Sequence, residues 1–336
     1  MRDSRSPARS GMEEMARRVS GGDRLALARA ITLVENEDRA AGPLLRALSA
    51  RGRRSHRIGV TGPPGAGKST LVGCIAQAYR ARGEATAVIA VDPSSPFTGG
   101  AILADRVRMA PEPGDDGLFI RSMASRGEPG GLSARTYEAS EVFEAAGFGV
   151  ILIETVGAGQ GELLIAEMAD TTVVVLVPES GDAVQVMKAG RMEIGEIFVV
   201  NKADRDGAGA LVREITHRAG GRAQAWHPPV LQTVATEGKG VEELVAALES
   251  HRAFLAAGGE GLARLQRKME QRIRRLVEAS LLAEAWSRPG LHALLEERAR
   301  DAADGTLTAY EAAADLLTRA RASEPSAPPQ SSEVDR

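Results

Sequence analysis

Between residues 55 and 250, short and nearly continuous apolar runs alternate with stretches whose apolar residues recur every three or four positions. The runs fall at 57–61, 86–92, 118–121, 150–154, 172–177, 197–201 and 230–233. A strand that is apolar on both faces must be covered on both faces, which is the situation of a central parallel strand flanked by helices. The pattern therefore predicts an α/β fold with a mostly parallel, doubly wound sheet. Residues 12–50 carry helical spacing through Leu25, Leu27, Ala30, Ile31 and Val34, and again through Leu44, Leu45 and Leu48. Two short helices separated near Gly42-Pro43 fit that spacing. A second helical zone begins near residue 261, where Leu262, Leu265, Met269, Ile273, Leu276, Val277 and Leu281 form an apolar stripe on an Arg- and Glu-rich helix. Such a stripe packs either on its own domain or on another subunit, and spacing leaves both open.

These zones suggest five segments: a disordered leader at 1–11, an N-terminal helical extension at 12–54, and the α/β domain at 55–255. A C-terminal helical arm at 256–321, a candidate for dimerisation, and a disordered tail at 322–336 complete the chain. The tail is rich in Ser, Pro and Glu, with too few apolar residues to offset the entropy of ordering it.

Composition narrows the classes. Charged residues make up 26% of the 336, and the formal net charge is −3 with both signs mixed along the chain, so no concentrated basic face speaks for nucleic acid. Aromatics are only 3%, leaving core volume to Ala, Val, Leu and Ile. Cys74 is the single cysteine, which excludes an intramolecular disulfide and any C-x-x-C metal pair. The five histidines are scattered without ligand spacing. No apolar run is long enough for a membrane span or a signal-peptide core. The Arg- and Ser-rich start resembles a transit peptide faintly, but Asp3, Glu13 and Glu14 argue against one. The reading is cytoplasmic, with neither a membrane nor a nucleic-acid partner.

Chemistry enters at the end of the first strand. Gly62-Pro63-Pro64-Gly65-Ala66-Gly67-Lys68-Ser69 fits G-x-x-x-x-G-K-[ST] at every fixed position, and Thr70 opens a helical run. Glycines let successive N–H groups turn towards one anion, and the helix that follows adds its N-terminal donors and dipole. Residues 62–70 thus make a P-loop NTPase phosphate site. Lys68 reaches the β- and γ-phosphates, and the Ser69 hydroxyl is placed to ligate Mg²⁺. Asp92 and Glu154 each end a strand, where carboxyl ends of parallel strands converge on a ligand crevice. Both are candidate metal-site carboxylates, and Asp105 lies in the polar loop after Asp92. Glu154-Thr155-Val156-Gly157 follows its strand as Asp-x-x-Gly does in many GTPases, so the Gly157 N–H is placed to meet a γ-phosphate. Gln160 either orients a water or stands by.

Asn201-Lys202-Ala203-Asp204 fits N-K-x-D after the strand at 197–201. The Asp204 carboxylate can accept from both N1–H and the 2-amino group of guanine. Adenine lacks that donor pair and would leave the carboxylate desolvated and unpaired. Ala235, Thr236 and Glu237, after the last strand, are expected to offer backbone contacts to the base. The ligands expected are GTP or GDP with Mg²⁺.

The stretch Val91-Asp92-Pro93-Ser94-Ser95-Pro96-Phe97-Thr98-Gly99-Gly100-Ala101-Ile102-Leu103 resembles the MeaB/ArgK family of GTPases. So do residues 28–35, Asp105-Arg106-Val107-Arg108-Met109, Glu154-Thr155-Val156-Gly157-Ala158-Gly159-Gln160, and 181–190. The likeness runs from about residue 20 to 320. It implies a GTP-hydrolysing chaperone that gates cobalamin loading and protects or reactivates an adenosylcobalamin-dependent acyl-CoA mutase of the methylmalonyl-CoA mutase type. A cobalamin adenosyltransferase is a further partner. It also implies a homodimer with helical extensions on both sides of the nucleotide domain. Asp105 becomes a switch and Mg²⁺ residue, joining Lys68 and Glu154 as groups of the hydrolytic site. Residues 178–194 become a segment that passes nucleotide state to the mutase, with Asp182, Gln185 and Lys188 as its partner-facing groups. Two departures stand out: Gly161 where Ser is frequent, and Gly195-Glu196 where Ala-Asp is usual. The second bears on switching or partner choice.

A metallochaperone GTPase is the alternative, but it calls for a His-rich or Cys-containing metal motif that the chain lacks. A kinase for a transport protein is disfavoured by N-K-x-D, since kinases ordinarily read adenine.

Overall fold

The computed structural model describes residues 7–36, 40–49, 55–92, 115–124, 134–155, 161–178, 191–219 and 225–321. Among them, seven strands form one sheet: β1 (His56–Thr61), β2 (Thr86–Asp92), β3 (Leu118–Ala124), β4 (Val150–Glu154), β5 (Thr171–Leu176), β6 (Ile197–Asn201) and β7 (Val230–Thr233). Their order is β3-β2-β4-β1-β5-β6-β7, and every pairing is parallel. The chain winds outward from β1 in both directions, so the loop after β1 opens where the winding reverses. That is where α/β sheets place their ligands.

Alternation within each strand sends side chains to two different cores. Ile58, Val60, Val150, Leu152, Val173 and Val175 pack on one face with α4 (Lys68–Ala81) and the helix Val241–Ala257. Ala87, Ile89, Val91, Ile151 and Ile153 pack on the other, against α5 (Ala134–Ala145) and α6 (Gly161–Met168). Each fully buried aliphatic side chain contributes about 1.5–3 kcal/mol.

The N-terminal extension contains three helices rather than two: α1 (Pro7–Ser20), α2 (Arg24–Glu35) and α3 (Ala41–Ser49). Gly42-Pro43 does not separate helices. It lies in the first turn of α3, where proline's missing N–H has no intrahelical acceptor to serve. α1 begins inside the stretch read as a leader, and Ala16 and Val19 bury its short apolar face. Leu27, Ile31, Val34, Leu44 and Leu48 join the same cluster as Val142 and Phe143 of α5, so the extension is a further layer over that face. Asp23 caps α2 by accepting from the Leu25 and Ala26 amides. β3 continues past Arg121, which pairs with Glu35 of α2 at 2.5 Å.

The remaining helices are α7 (Arg191–Ile194), α8 (Ala208–Ala219), α9 (Val241–Ala257), α10 (Gly259–Trp286), α11 (Leu291–Ala303) and α12 (Ala309–Arg321). The chain divides into two compact units, Met1–Gly261 and Leu262–Arg336. Within the second, Arg298 of α11 meets Asp315 of α12 at 3.0 Å. Thr308 and Glu311 cap the start of α12 with a reciprocal capping box, at 3.2 Å for Glu311 N–H to the Thr308 hydroxyl and 2.7 Å for the return bond. The stripe on α10 is open in the single chain: Leu262, Ile273 and Leu281 are 58%, 61% and 60% exposed.

The Gly195-Glu196 departure has a packing role. A Cβ on residue 195 would come within 2.5 Å of the Phe198 ring. The buried Glu196 carboxylate accepts from the Thr172 amide at 2.6 Å, and its carbonyl accepts from the Trp226 indole at 2.8 Å. These groups join the amino ends of β5 and β6, away from the carboxyl ends where the phosphate loop lies.

Candidate nucleotide site

β1 ends at Thr61 and α4 starts at Lys68, leaving six residues to turn the chain. Gly62 has φ 147°, Gly65 75° and Gly67 85°, all in the region that glycine adopts readily. Two of these positions also lack room for a side chain. A Cβ at Gly62 would lie 2.1 Å from the Val175 carbonyl oxygen of β5, and one at Gly67 would lie 2.5 Å from Asn201 Nδ2. Pro64 and Gly65 are exposed at the tip, while Ala66 and Lys68 are buried.

The buried Lys68 ammonium donates to the carbonyls of Gly62 and Pro63, each at 3.1 Å. Its charge is therefore held across the mouth of the loop, where the β- and γ-phosphates would lie. Ser69 and Thr70 occupy the first turn of α4, whose N-terminal amides and dipole favour an anion. The Ser69 hydroxyl donates to Glu154 Oε1 at 2.6 Å, and Glu154 is only 7% exposed. Register explains the contact: Glu154 lies opposite Val60, at the same end of the sheet as the loop. A hydroxyl and a carboxylate oxygen in contact beside a phosphate cradle are hard donors that fit Mg²⁺. The backbone of Asp92 closes β2 opposite Ala124, two positions beyond Ala90, which pairs with Glu154. Asp92 thus shares that end of the sheet. Its side chain, Asp105, Gly157, Gln160, Asp182, Gln185 and Lys188 lie outside the described residues.

The base-reading motif is tied directly to the phosphate loop. Asn201 Nδ2 donates to the Ala66 carbonyl at 2.8 Å, and Asn201 Oδ1 accepts from the Thr233 hydroxyl at 3.0 Å and the Ala235 amide at 3.1 Å. Lys202 has φ 56°, an uncommon conformation for a lysine and a frequent one at functional sites. The Ala203 amide donates to the Thr233 carbonyl at 3.0 Å, setting the turn that leads to the exposed Asp204. Ala235–Glu237 form one 3-10 turn. Two of its three amides are bonded within the protein, Ala235 to Asn201 and Glu237 to the Val234 carbonyl at 2.9 Å. Lys239 pairs with Glu237 at 2.5 Å. That hydrogen bond, with the charges of Glu237 and Asp204, raises the lysine pKa above its ordinary value.

The structure brings the phosphate loop, Glu154, Asn201–Asp204 and the Ala235–Glu237 turn to one end of the sheet. Pattern reading missed Thr233 and Cys74, whose thiol donates to the Ala235 carbonyl at 3.2 Å. Thr233 stands two residues before Ala235, but a strand-end threonine carries no distinctive signal of its own.

A family profile described as "Methylmalonyl Co-A mutase-associated GTPase MeaB" matches residues 27–290. A Pyrococcus horikoshii relative is 45% identical over 271 residues, covering 79% of this chain and 86% of that one. "GTPase ArgK" of Escherichia coli is 37% identical over 270 residues, covering 77% and 80%. Among solved structures, one titled "LAO/AO transport system kinase" superimposes with a TM-score of 0.71 at 27% identity, covering 96% of this chain and all of that one. With a phosphate loop, a strand-end carboxylate and a guanine motif converging on one crevice, and a profile that spans most of the sequence, this chain belongs to the MeaB family of P-loop GTPases.

Proposed function

We propose that this GTPase is a chaperone for an adenosylcobalamin-dependent acyl-CoA mutase of the methylmalonyl-CoA mutase type, gating cobalamin loading and protecting or reactivating the enzyme. The observation that carries the nucleotide part is the Asn201 carboxamide, which joins the phosphate loop to the base-reading turn. Both ends of a guanine nucleotide are then held by one rigid constellation. The partner class is supported by the family description, which names the mutase.

Within the site, Lys68 neutralises charge on the β- and γ-phosphates, and the backbone N–H groups within residues 65–70 hold them in line. Asp204 accepts from the guanine edge, and the Lys202 stem covers the base. Ser69, Glu154, Asp92 and Asp105 are the residues that would hold Mg²⁺. Held there, the ion would supply charge neutralisation to the phosphates. Gly157 is assigned to the γ-phosphate, so loss of that group frees its loop. Asp182, Gln185 and Lys188 then carry the change to the client. Positioning and charge account for most of the rate, and removing one preorganised donor typically costs ~10²–10³-fold in turnover.

The arm at 256–321 is assigned to a homodimer contact, because large apolar side chains on α10 are open in the single chain. A cobalamin adenosyltransferase is the second partner in this reading. Among the described residues, no helix is long and apolar enough to cross a membrane, and the assignment is cytoplasmic.

The test compares GTP and ATP turnover by the purified protein, alone and with an acyl-CoA mutase. GTP hydrolysis that rises with the mutase, with ATP left untouched, supports the proposal. A GTPase rate indifferent to the mutase would sink it.

A further inference from the structure

We propose that Thr233 and Cys74 are positioning residues for guanine recognition, holding the Ala235–Glu237 turn and the Asn201 carboxamide in the register the base requires. The inference rests on the reading of Asn201–Asp204 as the guanine site.

Asn201 has two chemically opposite ends and only one useful orientation. Its Nδ2 must donate to the Ala66 carbonyl, and its Oδ1 must accept from the Ala235 amide. A flipped carboxamide would set oxygen against a carbonyl and nitrogen against an N–H. The Thr233 hydroxyl, at the buried end of β7, adds a second donor to Oδ1 and so opposes the flip. Gly67 leaves the space that Nδ2 occupies.

Ala235 is restrained from its other side as well. Its carbonyl accepts from the thiol of Cys74, which lies on α4 six residues beyond Lys68. Burial raises the thiol pKa, keeping the S–H that makes the bond. The amide of Ala235 is thus fixed through Asn201 and Thr233, and its carbonyl through the helix that leaves the phosphate loop. Neither Thr233 nor Cys74 needs to touch the nucleotide. Both restrict the turn before the base arrives, which lowers the ordering cost of binding.

The experiment uses the full chain with Thr233→Val, Thr233→Ser, Cys74→Ala, Cys74→Ser and Asp204→Asn. It measures release of a fluorescent GDP, KM and kcat for GTP and ATP, and thermal midpoints. Loss of one neutral buried hydrogen bond corresponds to about fivefold. Thr233→Val should therefore speed GDP release and raise KM for GTP by about that factor, with kcat at saturation held and GTP preference over ATP reduced. Thr233→Ser should restore both. Cys74→Ala, losing a weaker donor, should show the same split at about twofold, with Cys74→Ser restoring it. Should Thr233→Val fail to fold, the two Cys74 variants decide the question.

A normal GDP release rate in Thr233→Val and Cys74→Ala, or an equal loss for GTP and ATP, overturns the proposal. Asp204→Asn separates the two levels. If it keeps full GTP preference, the guanine-site reading fails and this inference fails with it. If it loses the preference while the other variants behave as the parent, only the positioning role is rejected.

Discussion

Gly67 shows how closely single residues are set in this site. Its positive φ and the Asn201 amide 2.5 Å from where a Cβ would stand give two separate reasons for glycine. We expect Gly67→Ala to push Asn201 off the Ala66 carbonyl and weaken GTP binding at least tenfold, measured by calorimetry, since breaking a strained and buried polar contact costs a few kcal/mol. At the other end of β1, His56 is buried, with its Nε2 2.7 Å from the Thr171 hydroxyl, which also meets His251 Nδ1 at 2.7 Å. Its Nδ1 has no hydrogen-bond partner among the described residues. Burial lowers its pKa from 6.5 to about 4, with the Asp170 carboxylate opposing the shift. The unfolded chain therefore takes up this proton at a higher pH than the folded one. The stabilising contribution is complete above pH 6.5 and declines as the pH falls towards 4, by roughly 3 kcal/mol in all. Urea unfolding at pH 7.5 and 4.5 should show this slope, and His56→Gln should flatten it. That isolated histidine offered no such clue in the sequence, because burial against β5 and α9 is a property of the fold.

Whole elements were legible where one physical signal dominated. The continuous apolar runs at 150–154 and 197–201 became β4 and β6 with the same bounds, since a strand buried on both faces shows hydrophobicity that no turn shares. β3 extends past its expected end at Arg121 because the polar Ser122 interrupts the apolar run before Met123, which is buried. α1 was hidden for a similar reason: its buried face is mostly Met, Ala and Val among charged residues. The stripe on α10 was seen, but spacing left its partner open. The proposed homodimer would cover it with a second copy. Ile273→Glu with Leu281→Glu should yield a monomer by light scattering, with nucleotide affinity unchanged within about twofold, as surface changes usually cost less than 0.5 kcal/mol.

For the molecule as a whole, the nucleotide crevice draws on β1, β4, β6, β7 and α4 at once, so ligand binding should stabilise the unit that contains them. At a hundredfold excess over Kd, GTP with Mg²⁺ should add about 2.7 kcal/mol to unfolding stability. Chelating the metal should remove part of that gain, as read by the thermal midpoint. A midpoint indifferent to chelator would reject Ser69 and Glu154 as metal residues.

The sequence determined the local chemistry: a glycine pattern that only a phosphate loop uses, carboxylates at strand ends, and a base motif in the right chain order. Those features are short and contiguous, and each is explained by its own residues. Tertiary structure alone decided how they act together. Asn201 meets Ala66 across 135 positions of chain, Thr233 meets Asn201 across 32, and Cys74 meets Ala235 across 161. Such contacts follow from strand order and helix packing, which bring together residues that no spacing rule connects.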